Sequence, residues 1–380
     1  MAEGHNLQEQ QERKQTEVCL RFVRFCLDDA ATEFQGLDQV VWPELLKFGV
    51  RQTIMGVLFH GVQKLSNADH LPDKFTVAAL YSAYLEIEQQ NKQVYHDCVV
   101  LSENVKRRWG LRSVILKGQG NALMYPDPMM RSPGDIDLWT DADTITVVKK
   151  VKSVCPDAKI DYHHIDAALV KTPVEIHFFP SFMGNLFYEY RLRKYFNKER
   201  ERQMQHVVTL PGGKGQIGVP TDDFNRVFQL SHIMHHFFFE GIGLRQMIDY
   251  YYLLRRGFTE EERQETVKVL RYTNMEKFAC AVMYVMHDVL GLPHQCLLVE
   301  PDEKHGRVLI SEILKAGNFG FYDHRYSFNN HHLASQYLME TWRNLHYAWM
   351  YPSEAIWGRP LSRFWHAVYK RYVAYRARKA

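Results

Sequence analysis

The run Arg131-Ser132-Pro133-Gly134-Asp135-Ile136-Asp137-Leu138-Trp139 limits what this chain can fold into more than any other stretch. Side chains alternate faces along a strand, so Asp135 and Asp137 point one way and the apolar Ile136 and Leu138 point into a core. The Cα atoms of the two aspartates then sit about 6.6 Å apart at a rise of roughly 3.3 Å per residue. Like charges that close raise a pKa or call in a cation, and a hard cation with oxygen ligands, Mg²⁺ or Mn²⁺, fits the donors. Just upstream lies Leu116-Lys117-Gly118-Gln119-Gly120, a glycine-rich turn that carries a lysine. Glycines let backbone N–H groups approach phosphates, and the lysine adds charge.

The rest of the chain narrows the class. A length of 380 residues allows two or three domains, and a composition 46% hydrophobic and 24% charged is that of an ordinary soluble globular protein. The net charge of +3 argues against a protein that coats nucleic acid. Cys19, Cys26, Cys98, Cys155, Cys280 and Cys296 include no C-x-x-C pair, which suits a reducing cytoplasm. The polar stretch from Met1 to Lys14 has no apolar core of a signal peptide, and no run of roughly 18 apolar residues predicts a membrane span.

Read in order, residues 1–14 are expected to be a disordered tail and 15–110 a helical region. Within it, a helix pair between Trp42 and Val62 should break near Gly49, and a long helix should run from Leu71-Pro72-Asp73 to about Arg108. The period then changes. Ser113 to Leu116 predicts a strand, residues 141–154 a helix capped by Thr140 or Asp141, and 162–170 and 174–178 two more strands. Residues 111–220 thus form an α+β core with a mixed β-sheet. Residues 221–380 predict a C-terminal helical domain, with helices at 221–240, 244–256 and 264–292.

The strand Val174-Glu175-Ile176-His177-Phe178 supplies what the aspartate pair lacks. Its alternation puts Glu175 and His177 on one face. Two carboxylates bracketing metal ions and a third from another strand are the donor set that two-metal nucleotidyl transfer needs. Gly212-Gly213-Lys214-Gly215 lacks the order of a phosphate-binding loop and predicts a hairpin turn. His232 and His236 have a helical metal-ligand spacing without the glutamate of H-E-x-x-H, so a metal-dependent hydrolase on that helix is the weaker reading. Arg245 and Asp249 share the i, i+4 spacing of an intrahelical ion pair.

Lys117-Gly118, Arg131 with Gly134 to Leu138, Val174 to His177, His232 to His236, and Arg245 with Asp249 together resemble a pattern. It is that of the uncharacterised bacterial nucleotidyltransferase family proteins of the DNA-polymerase-β-like superfamily, over roughly residues 40–255. The resemblance implies an α+β fold with a nucleotidyltransferase-type mixed sheet flanked by helical regions. It implies an enzyme that moves a nucleoside monophosphate from an NTP, with ATP the expected donor, to a hydroxyl or phosphate acceptor, releasing pyrophosphate. The acceptor is a small molecule, a sugar or a protein side chain. Asp135, Asp137 and Glu175 would be the catalytic and metal residues, with Glu175 on a second metal or acting as general base. Lys117, Gly118, Gln119, Arg131, Gly134 and Arg245 would face the phosphates, although Arg131 could instead brace its loop and Arg245 pair with Asp249. His177, His232, His236 and Asp249 would border the cleft. Where the wider superfamily has Gly-Gly or Gly-Ser at the turn, this chain has Lys117-Gly118. That difference motivates a second reading, a nucleotide-sensing or partner-binding protein on the same fold.

Overall fold

The computed structural model describes residues 2–65, 69–323, 342 and 344–379. Helix α1 (Ala2–Leu27) is followed by α2 (Trp42–Gln52), α3 (Met55–Lys64) and the long α4 (Lys74–Asn104). The first of these begins inside the stretch expected to be a tail. The break between α2 and α3 falls at Thr53, which takes a left-handed conformation, and not at Gly49. Gly49 is buried within α2 because a Cβ there would lie 2.5 Å from Leu58 and 2.8 Å from Met55. The glycine serves close packing of the two helices. At the start of α4, Asp73 accepts hydrogen bonds from the backbone N–H groups of Phe75 and Thr76, as a helix cap should.

A four-stranded sheet follows, built from β1 (Ser113–Ile115), β2 (Ile136–Thr140), β3 (His164–Ala167) and β4 (Val174–His177). Its order is β1-β2-β4-β3, with β2 and β4 parallel and the two outer pairs antiparallel. Register aligns Asp137 with Glu175 and Trp139 with His177. Between the strands come a short turn of helix, α5 (Gln119–Ala122), and α6 (Thr144–Val154). The cap of α6 is Asp143, which holds the N–H groups of Ile145 and Thr146, so this helix starts later than the expected Asp141.

The chain then forms α7 (Leu186–Gln205) and a hairpin of β5 (Val207–Thr209) and β6 (Gln216–Gly218) around the glycine-rich turn. Beyond it lie α8 (Asp222–Phe239), α9 (Leu244–Arg255), α10 (Glu260–Tyr272), α11 (Glu276–Tyr284) and α12 (Glu303–Ala316). The helix expected over 264–292 is broken between α10 and α11, where Asn274 adopts a positive φ of 59°. A final helix spans Arg359–Lys379 and packs on α6 and the sheet end, where Tyr162 stacks on His366 with ring centroids 3.6 Å apart. The part of the C-terminal expectation that covers 324–341 and 343 lies outside the described residues.

Two apolar clusters hold this arrangement. One lies over the sheet and includes Ile136, Leu138, Val148, Ile165 and Ile176. The other joins Phe22 and Cys26 of α1 and Leu58 of α3 to Phe228 of α8, Leu254 of α9 and Phe278 of α11. Early and late helices therefore share one core, and the sheet with its carboxylates is pressed against them. Among the described residues no helix is long and apolar enough to cross a membrane.

Candidate active site

Strand β2 and the parallel strand β4 place the acidic groups. Because Asp137 and Glu175 are register partners, and Asp135 precedes Asp137 by two residues, all three emerge on the same face. One oxygen from each lies within 4.8 Å of the others. Three carboxylates at that spacing are a donor set of hard oxygens, suited to a divalent cation such as Mg²⁺. The cleft beside them is lined by Lys117 and Gly118 from the turn after β1, by His232 from α8, and by Arg131, Arg245 and Asp249. Gly118 has φ 61° and ψ −114°, a conformation that suits only glycine, and it turns the chain tightly enough to set Lys117 beside Asp137.

Charge in this cleft is strongly organised. Lys117 Nζ lies 3.0 Å from Asp137 Oδ1, and His177 Nε2 lies 2.9 Å from the same oxygen. Burial works against a charge on Asp137, which is only 2% exposed, but Lys117 and His177 outweigh it and hold the carboxyl well below its ordinary range. Asp137 and burial act the opposite way on Asp135, whose pKa is pushed up. Burial likewise opposes the charge on Glu175, and the hydrogen bond from His177 more than offsets it, so Glu175 is held low. His177 is the counterpart. Burial disfavours its cation, yet Asp137 and Glu175 raise its pKa to about 9. Two neighbouring carboxylates thus differ in proton affinity because only one of them receives both cations.

A row of polar groups runs away from the carboxylates along α8. Lys117 Nζ is 3.1 Å from His232 Nε2, which is 3.0 Å from His236 Nε2, whose Nδ1 is 2.8 Å from Glu240. Burial and Lys117 together push the His232 pKa well down, so this ring is neutral and can receive a hydrogen bond from the lysine. The i, i+4 pair His232 and His236 is therefore joined to Lys117 and Glu240, and the groups of potential metal ligands among the described residues lie elsewhere, on the sheet.

Other expected residues take other positions. Arg131 is 2% exposed and grips Asp249 with two parallel hydrogen bonds of 2.8 and 2.7 Å, while a third N–H reaches Ser132 O. Tyr125 donates to the same Asp249 at 2.6 Å. The ion partner of Asp249 is thus Arg131 and not Arg245. Arg245 lines the cleft beside Gly134, where an added Cβ would come within 3.0 Å of its guanidinium. Among the described residues Arg245 has no carboxylate within ion-pair distance. Gln119 turns away from the cleft; it is buried, and its amide donates to Asn91 on α4. Asn91 in turn donates to Met129 O and Arg131 O, which fixes the loop leading into β2.

Sequence reasoning missed His163 and His164. They stand at the start of β3, and the register places His164 opposite His177. The pair of adjacent histidines was the available signal, but only strand pairing across the intervening turn brings them to Glu175.

Three convergent carboxylates on a mixed sheet, beside a lysine and an arginine, offer oxygen donors that suit a divalent cation and positive charge that suits an anionic group. The chain matches the family described as "Uncharacterised nucleotidyltransferase" over residues 38–291 and belongs to that family. No curated protein matches it. A crystal structure of an antigenic nucleotidyltransferase-like protein from Paracoccidioides brasiliensis is 13% identical and superposes with a TM-score of 0.32, covering 51% of this chain and 92% of that one. A likeness that slight carries no argument about this chain.

Proposed function

We propose that the protein transfers a nucleoside monophosphate from an NTP, with ATP first among the donors, to a hydroxyl or phosphate of an acceptor molecule. The acceptor oxygen forms a bond to the α-phosphorus, the bond between the α-phosphorus and its β-bridging oxygen breaks, and pyrophosphate leaves. The observation that carries the reading is the convergence of Asp135, Asp137 and Glu175 beside Lys117 and Arg245. Asp135, Asp137 and Glu175 would hold Mg²⁺ or Mn²⁺, which would neutralise the triphosphate and acidify the attacking hydroxyl. Glu175, kept ionised by His177, is placed to ligate a second ion or accept the acceptor's proton. Lys117, the backbone at Gly118 and Gly134, and Arg245 take the phosphate charge. Arg131 braces Asp249 and the loop into β2, and Gln119 is outside the phosphate set. The acceptor is a small metabolite, a sugar or a protein side chain, and a reducing cytoplasm fits six thiols that form no disulfide.

One observation favours the second reading, a nucleotide sensor without turnover. Lys117 and His177 both occupy the Asp137 oxygen that a metal would need. The two readings part when the protein is incubated with Mg²⁺, each NTP and a lysate of candidate acceptors. Transfer releases pyrophosphate, whereas binding of nucleotide with no pyrophosphate from any of the four NTPs supports the sensor. In either case Asp137→Ala is expected to abolish Mg²⁺-dependent nucleotide binding, measured by calorimetry. Unchanged binding in that variant would remove Asp137 from the site.

A further inference from the structure

A second group of potential ligands shares Glu175 with the acidic cluster and adjoins Asp137 through His177. One donor atom from each of His163, His164, Glu175 and His177 lies within 4.8 Å of the other three. His163 Nε2 is 3.4 Å from His164 Nδ1, His164 Nδ1 is 3.4 Å from Glu175 Oε2, and Glu175 Oε2 is 3.4 Å from His177 Nε2. A tetrahedral ion with bonds of roughly 2.0–2.1 Å to nitrogen and oxygen separates its ligand atoms by about 3.3–3.4 Å. Three successive contacts therefore already have the edge length of such a tetrahedron. We propose that His163, His164, His177 and Glu175 form a binding site for one borderline divalent transition ion, Zn²⁺ in the first instance, which takes the place of the His177 Nε2 proton and so competes with Asp137 for that nitrogen.

Orientation of His164 supplies an independent argument. Its other ring nitrogen, Nε2, lies 3.3 Å from Asp166 Oδ1. A proton on Nε2, towards that carboxylate, would leave a lone pair on Nδ1, the arrangement that metal-bound histidines use. In that tautomer Nδ1 and the Glu175 oxygen, 3.4 Å apart, are both acceptors, and a cation between them would satisfy both. Strand register supplies the rest, because β3 and β4 pair His164 with His177 and Asp166 with Glu175. Beside the His163 ring stand Phe182 at 4.8 Å and Phe179 at 6.3 Å, with the His235 ring at 6.1 Å. Three imidazole nitrogens among four donors favour Zn²⁺, Co²⁺ or Ni²⁺ over Mg²⁺. An ion held here would tie up Glu175, the one carboxylate common to both groups.

The test uses the full chain, stripped by a chelator and then titrated with Zn²⁺ in excess Mg²⁺ against a chromophoric competitor. One equivalent of Zn²⁺ per chain is expected to resist Mg²⁺. Co²⁺ in the wild-type protein should give the intense visible absorption of a tetrahedral nitrogen-rich site. His164→Ala should weaken Zn²⁺ by ~100-fold or more, since it removes a direct ligand where loss of a supporting partner alone costs about 10–100-fold. Asp135→Asn, confined to the acidic group, should leave the affinity within about threefold, well inside the effect of a supporting partner. The proposal is overturned if the wild-type protein retains no equivalent of Zn²⁺, if Co²⁺ shows only the weak spectrum of an oxygen-rich octahedral site, or if Asp135→Asn and not His164→Ala removes the ion. The wild-type measurements decide the matter even where a variant fails to fold. They involve no nucleotide, so their failure is distinct from failure of the transfer reading.

Discussion

Single residues in the cleft divide by what they are already bonded to. Arg131 is committed to Asp249 and Lys117 reaches both Asp137 and the cleft, whereas Arg245 lines the same space without an ion partner among the described residues. A guanidinium of that kind suits a triphosphate, whose charge it can meet with two parallel hydrogen bonds. Arg245→Ala is therefore expected to raise the KM for NTP about 10- to 100-fold, the roughly 1.5–3 kcal/mol of a charged hydrogen bond. The change in kcat should be smaller and the melting temperature should hold; steady-state pyrophosphate release and a thermal melt measure both. An unchanged KM would take Arg245 off the phosphates. The aspartate pair and Glu175 were legible in the sequence because a strand's period of two is fixed by geometry. Gln119 was not, because four residues of helix do not reveal which side faces the cleft. Arg131 offered two roles, and only the tertiary position of Asp249, more than a hundred residues away, distinguishes them.

At the scale of elements, the short π-helix Ser353–Gly358 is held to the start of α7 by one buried acid. Glu354 is 4% exposed and accepts hydrogen bonds from the backbone N–H groups of Gly184 and Asn185. Burial raises its pKa from an ordinary 4.5 to about 7, although the two N–H groups pull the other way. The folded state then binds more protons than the unfolded state between these values. The contribution of Glu354 to stability is greatest below about pH 4.5, falls as pH rises towards 7, and is level above. Glu189, which accepts from Met183 N–H and from Tyr162, is also raised to about 7 and adds a slope of the same sign. Glu354→Gln keeps the acceptor and removes the buried charge. It should stabilise the protein by about 1–3 kcal/mol at pH 8 and by almost nothing at pH 4.5, as read from urea unfolding at the two pH values. Equal effects at both would mean that the charge is not the cost. Little of this contact could be foreseen, since a glutamate among Ser353, Ala355 and Trp357 carries no local mark of burial. Helix ends carry local marks, as with Thr259 and Glu262 in the capping box of α10, although the cap of α6 lies at Asp143, two or three residues beyond the expected one. Gly49 misled for the converse reason, since its role comes from Leu58 and Met55 on the next helix.

Across the whole molecule, the apolar cluster that joins α1, α3, α8, α9 and α11 was invisible in the sequence. Composition shows three successive regions, but which helices share a core depends on contacts between residues hundreds of positions apart. The polar link between sheet and helices is easier to isolate. Arg131 precedes β2, Asp249 lies on α9, and Tyr125 and Asn121 bond the same carboxylate, so one buried ion pair ties the loop carrying Asp135 to the helical core. Removing one partner of such a pair leaves an uncompensated buried charge and costs about 3–5 kcal/mol, whereas removing both leaves none. Asp249→Ala and Arg131→Ala should each lower unfolding stability by that amount. The double variant should lose less than the sum of the two by about 2 kcal/mol or more, within the range of coupling between contacting residues. Because the pair holds the loop into β2, both single variants should also weaken nucleotide binding without touching the nucleotide. Additive losses in a urea-unfolding cycle would mean that Arg131 and Asp249 act independently, and that the loop into β2 is positioned by Asn91 on α4 and not by α9.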